Sequence, residues 1–558
     1  MKLPLTVPSL KTVVPEYKEK LQPNLFVELE ALLDKGDITA SVELVLPFTK
    51  SRFASGSLHE VLGLLYMEEQ NFTKSCEAFE KAYSFSSKNI TVLIYLGISY
   101  AKQGKLSDAV FCFEKVLKIQ NYENLDMINF LAEFYNDAFS WNSTLELIKL
   151  VAGQLDTRTY LAQFTALRNL GREKDITDKI KSLEKGDISQ EMFIILTESY
   201  IKQNKKIAAS AALKEGLKRY PENSQLLWML LDQEPDVSDK ISVESVSKKF
   251  LGSMDKVKLD LKKDGIFYSL CLHKIYEEKK DFEKSFSFLT TGHSIRLENS
   301  VHNIESDKFV LRKMIDLNHV EIDLSNDLND MAVVFLIGLP NSGTFEVGNL
   351  LKSVTKSCSG EDIPFLTAAI NKSNFLNSGS TDDLIDIKHF YFKFVRDAGF
   401  SGKFFIDNNP LNFRFLPIIR KVFPNCIIIH TKRNLRHNLI SCFLTNFKND
   451  AYDFTFDQTI LNEYAKIYKE AYNFFKLNEL TFEHCFDFDE YYKNPKREAS
   501  KFIDFFTTAG ALNEFGSISD DFLREFVAIE NQVKQETHEM VVKSEAYHKY
   551  ISRLFAGL

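Results

Sequence analysis

From about residue 22 to 300 the chain repeats with a period of 34. Gly63 and Tyr66 return as Gly97 and Tyr100, Leu62 as Leu96, Phe79 as Phe113, and Ala82 as Val116. One step earlier the same places hold Leu29, Leu32 and Val45. A two-helix unit needs small residues where its helices touch and large ones at the facing turn. It also leaves an apolar face that only the next unit can cover. This stretch is therefore expected to be helical throughout and stacked into a superhelix with a concave face. A later copy reads LTESYIKQNKKIAASAALKEGLKRYPENS, with Tyr200, Ala209 and Pro221 at the expected offsets, and LCLHKIYEEKKDFEKSFSFLTTGHSIR (270–296) looks like the last. Copies over 125–188 and 224–260 are weak.

The period and its small/large order resemble tetratricopeptide repeats. The resemblance implies either a helical scaffold or a groove that takes a peptide or protein partner.

After about residue 330 the pattern changes. MAVVFLIGL (331–339), KFFIDN (403–408), NCIIIHT (425–431) and LTFEHCFDF (480–488) read as strands. Amphipathic helices are expected over 344–353, 411–422, 435–446, 458–476 and 496–507. Strands alternating with helices imply a mostly parallel sheet wrapped by helices, with ligands beyond the strands' carboxyl ends. The expected division is an N-terminal extension (1–21), a repeat array (22–300), a polar connector (301–330) and an α/β domain (331–558).

Composition restricts the partners. The 69 Lys and Arg against 77 Asp and Glu leave a net charge of −8 spread without blocks, which argues against a general nucleic-acid binder. No stretch approaches the ~20 apolar residues of a membrane span. The 7 cysteines are scattered and form no CxxC pair. Reduced, mostly buried thiols and a cytoplasmic setting are expected.

The chemistry concentrates in VVFLIGLPNSGTFEVGNLLKS (333–353). Gly338 and Gly343 have the G-x-x-x-x-G spacing of a nucleotide-phosphate loop. The Lys that an ATPase or GTPase needs next is Thr344, and the following hydroxyl is replaced by Phe345. An NTPase is therefore not expected. Backbone N–H groups at the helix start, with Ser342 and Thr344, still make an anion cradle.

GLPNSGTF resembles the PRSGTT loop of the sulfotransferases, which holds the 5′-phosphosulfate end of 3′-phosphoadenosine 5′-phosphosulfate (PAPS). IIIHTKRNLRHNLIS resembles that family's second motif, with Arg433 and Ser441 at the spacing that holds the donor's 3′-phosphate. FIDNNPLNFRFLPIIRKVFPN resembles the DKMPxNF segment, SGEDIPF the GAGELPF segment, and FDEYYKNP the YEDLVADP strand end. More weakly, KSEAYHKYISRLFAGL resembles a C-terminal segment in which Tyr547 takes a Trp place. The order matches from about 333 to 508.

The resemblance implies an all-α tetratricopeptide superhelix followed by a P-loop-like α/β sulfotransferase domain with a parallel sheet. It implies PAPS as co-substrate, no metal, and a protein, carbohydrate or small-molecule acceptor. Pro340, Asn341, Ser342, Gly343, Thr344, Phe345, Arg433 and Ser441 would bind the donor. Glu361, matching the Glu of the GE segment, would be the base for the acceptor hydroxyl, with His389 the second choice. The site also departs from the family. Asn341 and Asn408 stand where basic residues are usual, and His437 replaces a common Asp. Lys352, Lys403 and Lys432 are the candidates to compensate. The alternative is a degenerate, inactive relative that serves as a repeat scaffold.

Overall fold

The computed structural model describes residues 13–508 and 542–557, apart from 53, 152–154, 255–258, 299, 318–330, 356–357, 403, 478–483 and 544. Two compact units result. One comprises residues 1–171 with 397–399, and the other 172–396 with 400–558.

The first unit is built of helical hairpins: Pro23–Lys35 with Ile38–Thr49, Gly56–Glu68 with Phe72–Phe85, Ile90–Lys102 with Leu106–Ile119, and Leu125–Asp137 with Trp141–Lys149. Thr157–Asn169 follows. The small/large rule takes concrete form here. A Cβ on Gly63 would lie 2.8 Å from the Phe79 ring, and one on Gly97 would lie 2.6 Å from the Phe113 ring. Leu29, Val45, Phe79, Phe113 and Val116 are fully buried in one continuous core.

Each hairpin turns through one left-handed residue, placed two before the second helix. These are Gly36, Gln70, Gly104 and Phe139 in the first unit, with φ of 75°, 58°, 76° and 60°. Gly171, Asn204 and Lys280 hold the same place before Glu173–Ser182, Lys206–Arg219 and Phe282–Leu297. The hairpin grammar therefore continues through 125–188, where the residue pattern is weak. The backbone needs the positive φ, and glycine meets it without strain in only some copies. Over 224–260 the helices Ser224–Gln233 and Val243–Met254 are joined instead through a 3₁₀ segment, Pro235–Lys240.

The second unit holds the later hairpins, the helix Ile304–Leu317 and a five-stranded sheet. The strands are β1 (Ala332–Gly338), β2 (Cys358–Glu361), β3 (Phe404–Asn408), β4 (Ile427–Lys432) and β5 (His484–Asp487). Every pairing is parallel, and the order is β2-β3-β1-β4-β5. β2 was not anticipated: CSGE is too short and too polar to read as a strand. The first residues of the stretch expected as a strand over 480–488 lie outside the described residues.

Helices cover both sheet faces. Val334, Leu336, Ile406 and Ile429 pack with Val347, Leu350 and Phe502 on one side. On the other, Phe335 meets Tyr391 and Phe423 at ring distances of 5.9 and 5.4 Å. A third cluster joins Phe267, Leu270 and Leu289 of the last hairpin to Leu439, Phe443, Tyr464 and Tyr547. The last hairpin and the sheet domain thus share one core. Cys76, Cys112, Cys271, Cys426 and Cys442 are buried free thiols. Among the described residues no helix is long and apolar enough to cross a membrane.

Candidate functional site

Strand register assembles the candidate residues. Glu361 pairs with Asn408 across β2 and β3, and Gly338 pairs with Thr431 across β1 and β4. Glu361, Asn408, Gly338 and Lys432 therefore all stand at the carboxyl edge of the sheet. The chain leaves β1 towards β3 and β2, then returns to the other side for β4. The loop after β1 lies at that reversal, where open parallel sheets leave a crevice.

The loop is held by the segment after β4. Asn438 Nδ2 donates to the Pro340 carbonyl at 2.8 Å, and the Cys442 thiol reaches the same oxygen at 3.2 Å. The Ser342 and Thr431 hydroxyls meet at 2.7 Å. Asn341 Nδ2 donates to Ser441 Oγ at 3.1 Å and to Thr445 Oγ1 at 2.9 Å. Asn341 and Gly343 both have positive φ, 57° and 103°. A Cβ on Gly343 would stand 2.3 Å from the Phe488 ring, so only glycine fits. Thr344 then opens the Thr344–Thr355 helix.

Two clefts flank this loop. The first, of about 200 Å³, is lined by Pro340, Asn341, Gly343, Thr344, Phe345, Asn408, Glu361 and their neighbours. Phe345 is half exposed at it. Among the described residues the lining carries three carboxylates (Glu346, Glu361 and Asp362) and no Lys or Arg. Asp362 is pushed up to about 6 by burial, against the pull of hydrogen bonds from Tyr452 and Asn449. Its backbone N–H donates to the Asn408 carbonyl at 2.9 Å. Asn408 is buried, and its Oδ1 has no hydrogen-bond partner among the described residues.

The second cleft, of about 180 Å³, has the opposite charge. Lys432, Arg433 and Lys469 line it with Tyr468, Tyr472, Asn438 and Ser342. Lys432 is paired with Asp487 at 3.0 Å, which raises its pKa. The Arg433 guanidinium lies 5.6 Å from the Phe488 ring centre. Below the cleft His430 meets the Tyr468 hydroxyl at 2.5 Å, and burial pushes its imidazole down to about 3.

The structure thus brings Pro340, Asn341, Gly343, Thr344, Phe345 and Glu361 to one cleft, and Ser342 and Arg433 to the other. Ser441 is tied to Asn341. His389 is exposed on the Thr381–Asp397 helix and lines neither cleft. Of the compensating lysines, Lys352 is exposed, Lys432 is engaged by Asp487, and Lys403 lies outside the described residues. Asp362 lies within SGEDIPF but was given no role there, and Tyr452, Lys469 and Tyr472 went unnoticed in the sequence. Those three come from turns and helix faces that carry no motif, and only folding gathers them.

The loop thus lies between a basic cleft and a cleft lined by three carboxylates. Residues 333–509 match the model of the sulfotransferase family, and residues 57–89 match that of the tetratricopeptide repeat. An uncharacterized protein of Aquifex aeolicus is 21% identical over 353 residues, covering 54% of this chain and 46% of that protein. The chain therefore spans about half the length of the curated relative it matches. A tetratricopeptide repeat protein from Parabacteroides merdae is similar at 15% identity and TM-score 0.26, over 48% of this chain and 98% of that one. The structure of Naa15/Naa10 bound to HypK-THB is similar at 12% identity and TM-score 0.34, over 94% of this chain and 79% of that one.

Proposed function

We propose that this chain, which carries a sulfotransferase-family domain behind a tetratricopeptide repeat, is a PAPS-dependent sulfotransferase. The observation that supports it is the placing of one phosphate-type loop between a basic cleft holding Arg433 and a cleft holding Glu361. In this reading the donor's 3′-phosphate lies towards Arg433, whose planar fork suits phosphate. The 5′ end crosses the loop, where backbone N–H groups at the start of the Thr344–Thr355 helix receive its charge. Glu361 takes the proton of an acceptor hydroxyl. The acceptor oxygen then forms its bond to sulfur, the bond from sulfur to the bridging phosphate oxygen breaks, and 3′,5′-ADP leaves with the electron pair. The transition state of such a transfer is loose, so positioning and charge stabilisation dominate. The division into an array over 22–300 and a catalytic domain over 331–558 is retained as the functional one. The array's groove would bind the acceptor or a protein partner, in a cytoplasmic setting.

Calorimetry with PAPS and 3′,5′-ADP on wild type and Arg433→Ala tests this. Binding by wild type and a loss of about 10-fold or more in the variant supports the donor site. No binding by the folded wild type overturns it. One observation favours the second reading, a degenerate relative acting as a scaffold: the Glu361 cleft has three carboxylates and no cation of its own. Losing one preorganised stabiliser costs roughly 10²–10³ in rate. Donor binding without turnover across an acceptor screen would establish that second reading.

A further inference from the structure

The Gln190–Lys202 helix belongs to the repeat array by its hairpin turn, yet its last turns face the Glu361 cleft. Lys202 Nζ lies 3.9 Å from the Glu361 carboxylate and 3.4 Å from that of Glu173. Glu173 is buried, so Lys202 is anchored from behind by a carboxylate that needs a counter-charge. One turn earlier on the same helix Glu198 pairs with Lys448. Lys448 follows Phe447, which also lines the cleft. The helix is therefore tied to the cleft's surroundings at two places, through a cation at Glu361 and an anion at Lys448. Asp362 and Tyr452, both in the lining, are joined by a hydrogen bond.

We propose that Lys202 is a positioning residue for the sulfuryl end of the donor. It holds the Glu361 carboxylate and offsets the negative lining where the cleft has no cation of its own. The proposal rests on the donor reading above. Its physical content is a charge balance. A sulfuryl group beside three carboxylates is repelled, and a fixed ammonium next to the nearest of them removes much of that repulsion. A cation shared between Glu173 and Glu361 also restrains where the Glu361 side chain can lie. The array then contributes to the reaction site itself.

The test compares two nucleotides that differ by the sulfuryl group. PAPS and 3′,5′-ADP are titrated by calorimetry into the full chain carrying Lys202→Met, Lys202→Arg, Glu361→Gln, or Lys202→Met with Glu361→Gln. Lys202→Met is expected to weaken PAPS by ~10-fold, an exposed-to-half-buried charge effect, and 3′,5′-ADP by less than about 2-fold. Lys202→Arg should restore the PAPS preference. In the Glu361→Gln background Lys202→Met should have little further effect, because the charge it balances is gone. If Lys202→Met unfolds by stranding Glu173, the pair Lys202→Met with Glu173→Gln removes that burden and is titrated instead. An unchanged PAPS to 3′,5′-ADP ratio in folded Lys202→Met overturns the proposal and leaves the donor reading standing. Wild type that binds neither nucleotide overturns the donor reading, and this proposal with it.

Discussion

Asp407 shows how a single side chain can matter without touching the reaction. It is fully buried in β3, accepts from the Tyr391 hydroxyl at 2.8 Å and from Asn412 Nδ2 at 2.9 Å, and is still pushed up to about 7 by burial. Two hydrogen bonds are weaker than the cost of burying its charge. A carboxyl with a raised folded pKa stabilises most below its unfolded value and loses that contribution as pH rises through the folded one. The contribution of Asp407 should therefore be lost between about pH 4 and pH 7, so the stability of Asp407→Asn relative to wild type should rise across that window in a urea-denaturation series. At Gln70 the backbone is left-handed and the side chain exposed. Gln70→Gly should raise stability by about 1 kcal/mol, read as an increase in Tm, since the strain of an L-residue there is of that order. Gly63→Ala should do the reverse. Its new Cβ would press on the Phe79 ring at 2.8 Å, at a cost of about 1–3 kcal/mol.

At the scale of elements, the loop after β1 depends on the helix Leu435–Leu444. Asn434 caps that helix by accepting from the His437 N–H, and Asn438, Ser441 and Cys442 then reach back to the loop. Asn434→Ala should cost about 1 kcal/mol of stability. Because the helix carries Asn438 and Ser441 as a set, PAPS affinity should fall too. Gly343→Ala should be more severe. The left-handed φ and the Phe488 ring leave no room for a methyl group, so binding of 3′,5′-ADP should be lost even where the chain still folds.

For the whole molecule, the later hairpins and the sheet domain are a single compact unit, while the early hairpins form the other. Phe267, Leu270 and Leu289 share a core with Leu439, Phe443 and Tyr547, and the C-terminal segment is clasped there. The Tyr547 hydroxyl lies 2.8 Å from Ser285 Oγ and 3.0 Å from Glu277. A piece spanning 172–558 should unfold in one cooperative transition by calorimetric scan. A piece spanning 331–558 should expose that shared core and aggregate or bind hydrophobic dye. Recovery of a cooperative transition from the shorter piece would count against the shared core.

Much of this was legible in the chain before any coordinates. A period of 34 with glycine facing phenylalanine can be satisfied only by stacked hairpins. An apolar β-branched run that stops at GLPNSG can end only in a turn from which a helix starts. These are local rules of spacing and backbone freedom, and sequence carries them directly. Copies over 125–188 were weak in sequence, and it is their backbone, with left-handed turns at Phe139 and Gly171, that shows the hairpins there. Arg433 on one side and the missing basic residues at 341 and 408 on the other were legible, but the remaining charges of each cleft were not. Asp362, Lys469, Tyr472 and above all Lys202 arrive from segments far apart in the chain, and a contact between residues 202 and 361 has no local signature. Sequence by itself determined the repeats, the strands and the phosphate-type loop, because each obeys short-range periodicity and steric rules. Tertiary structure alone decided which charges surround that loop, because electrostatics acts across space and is indifferent to chain order.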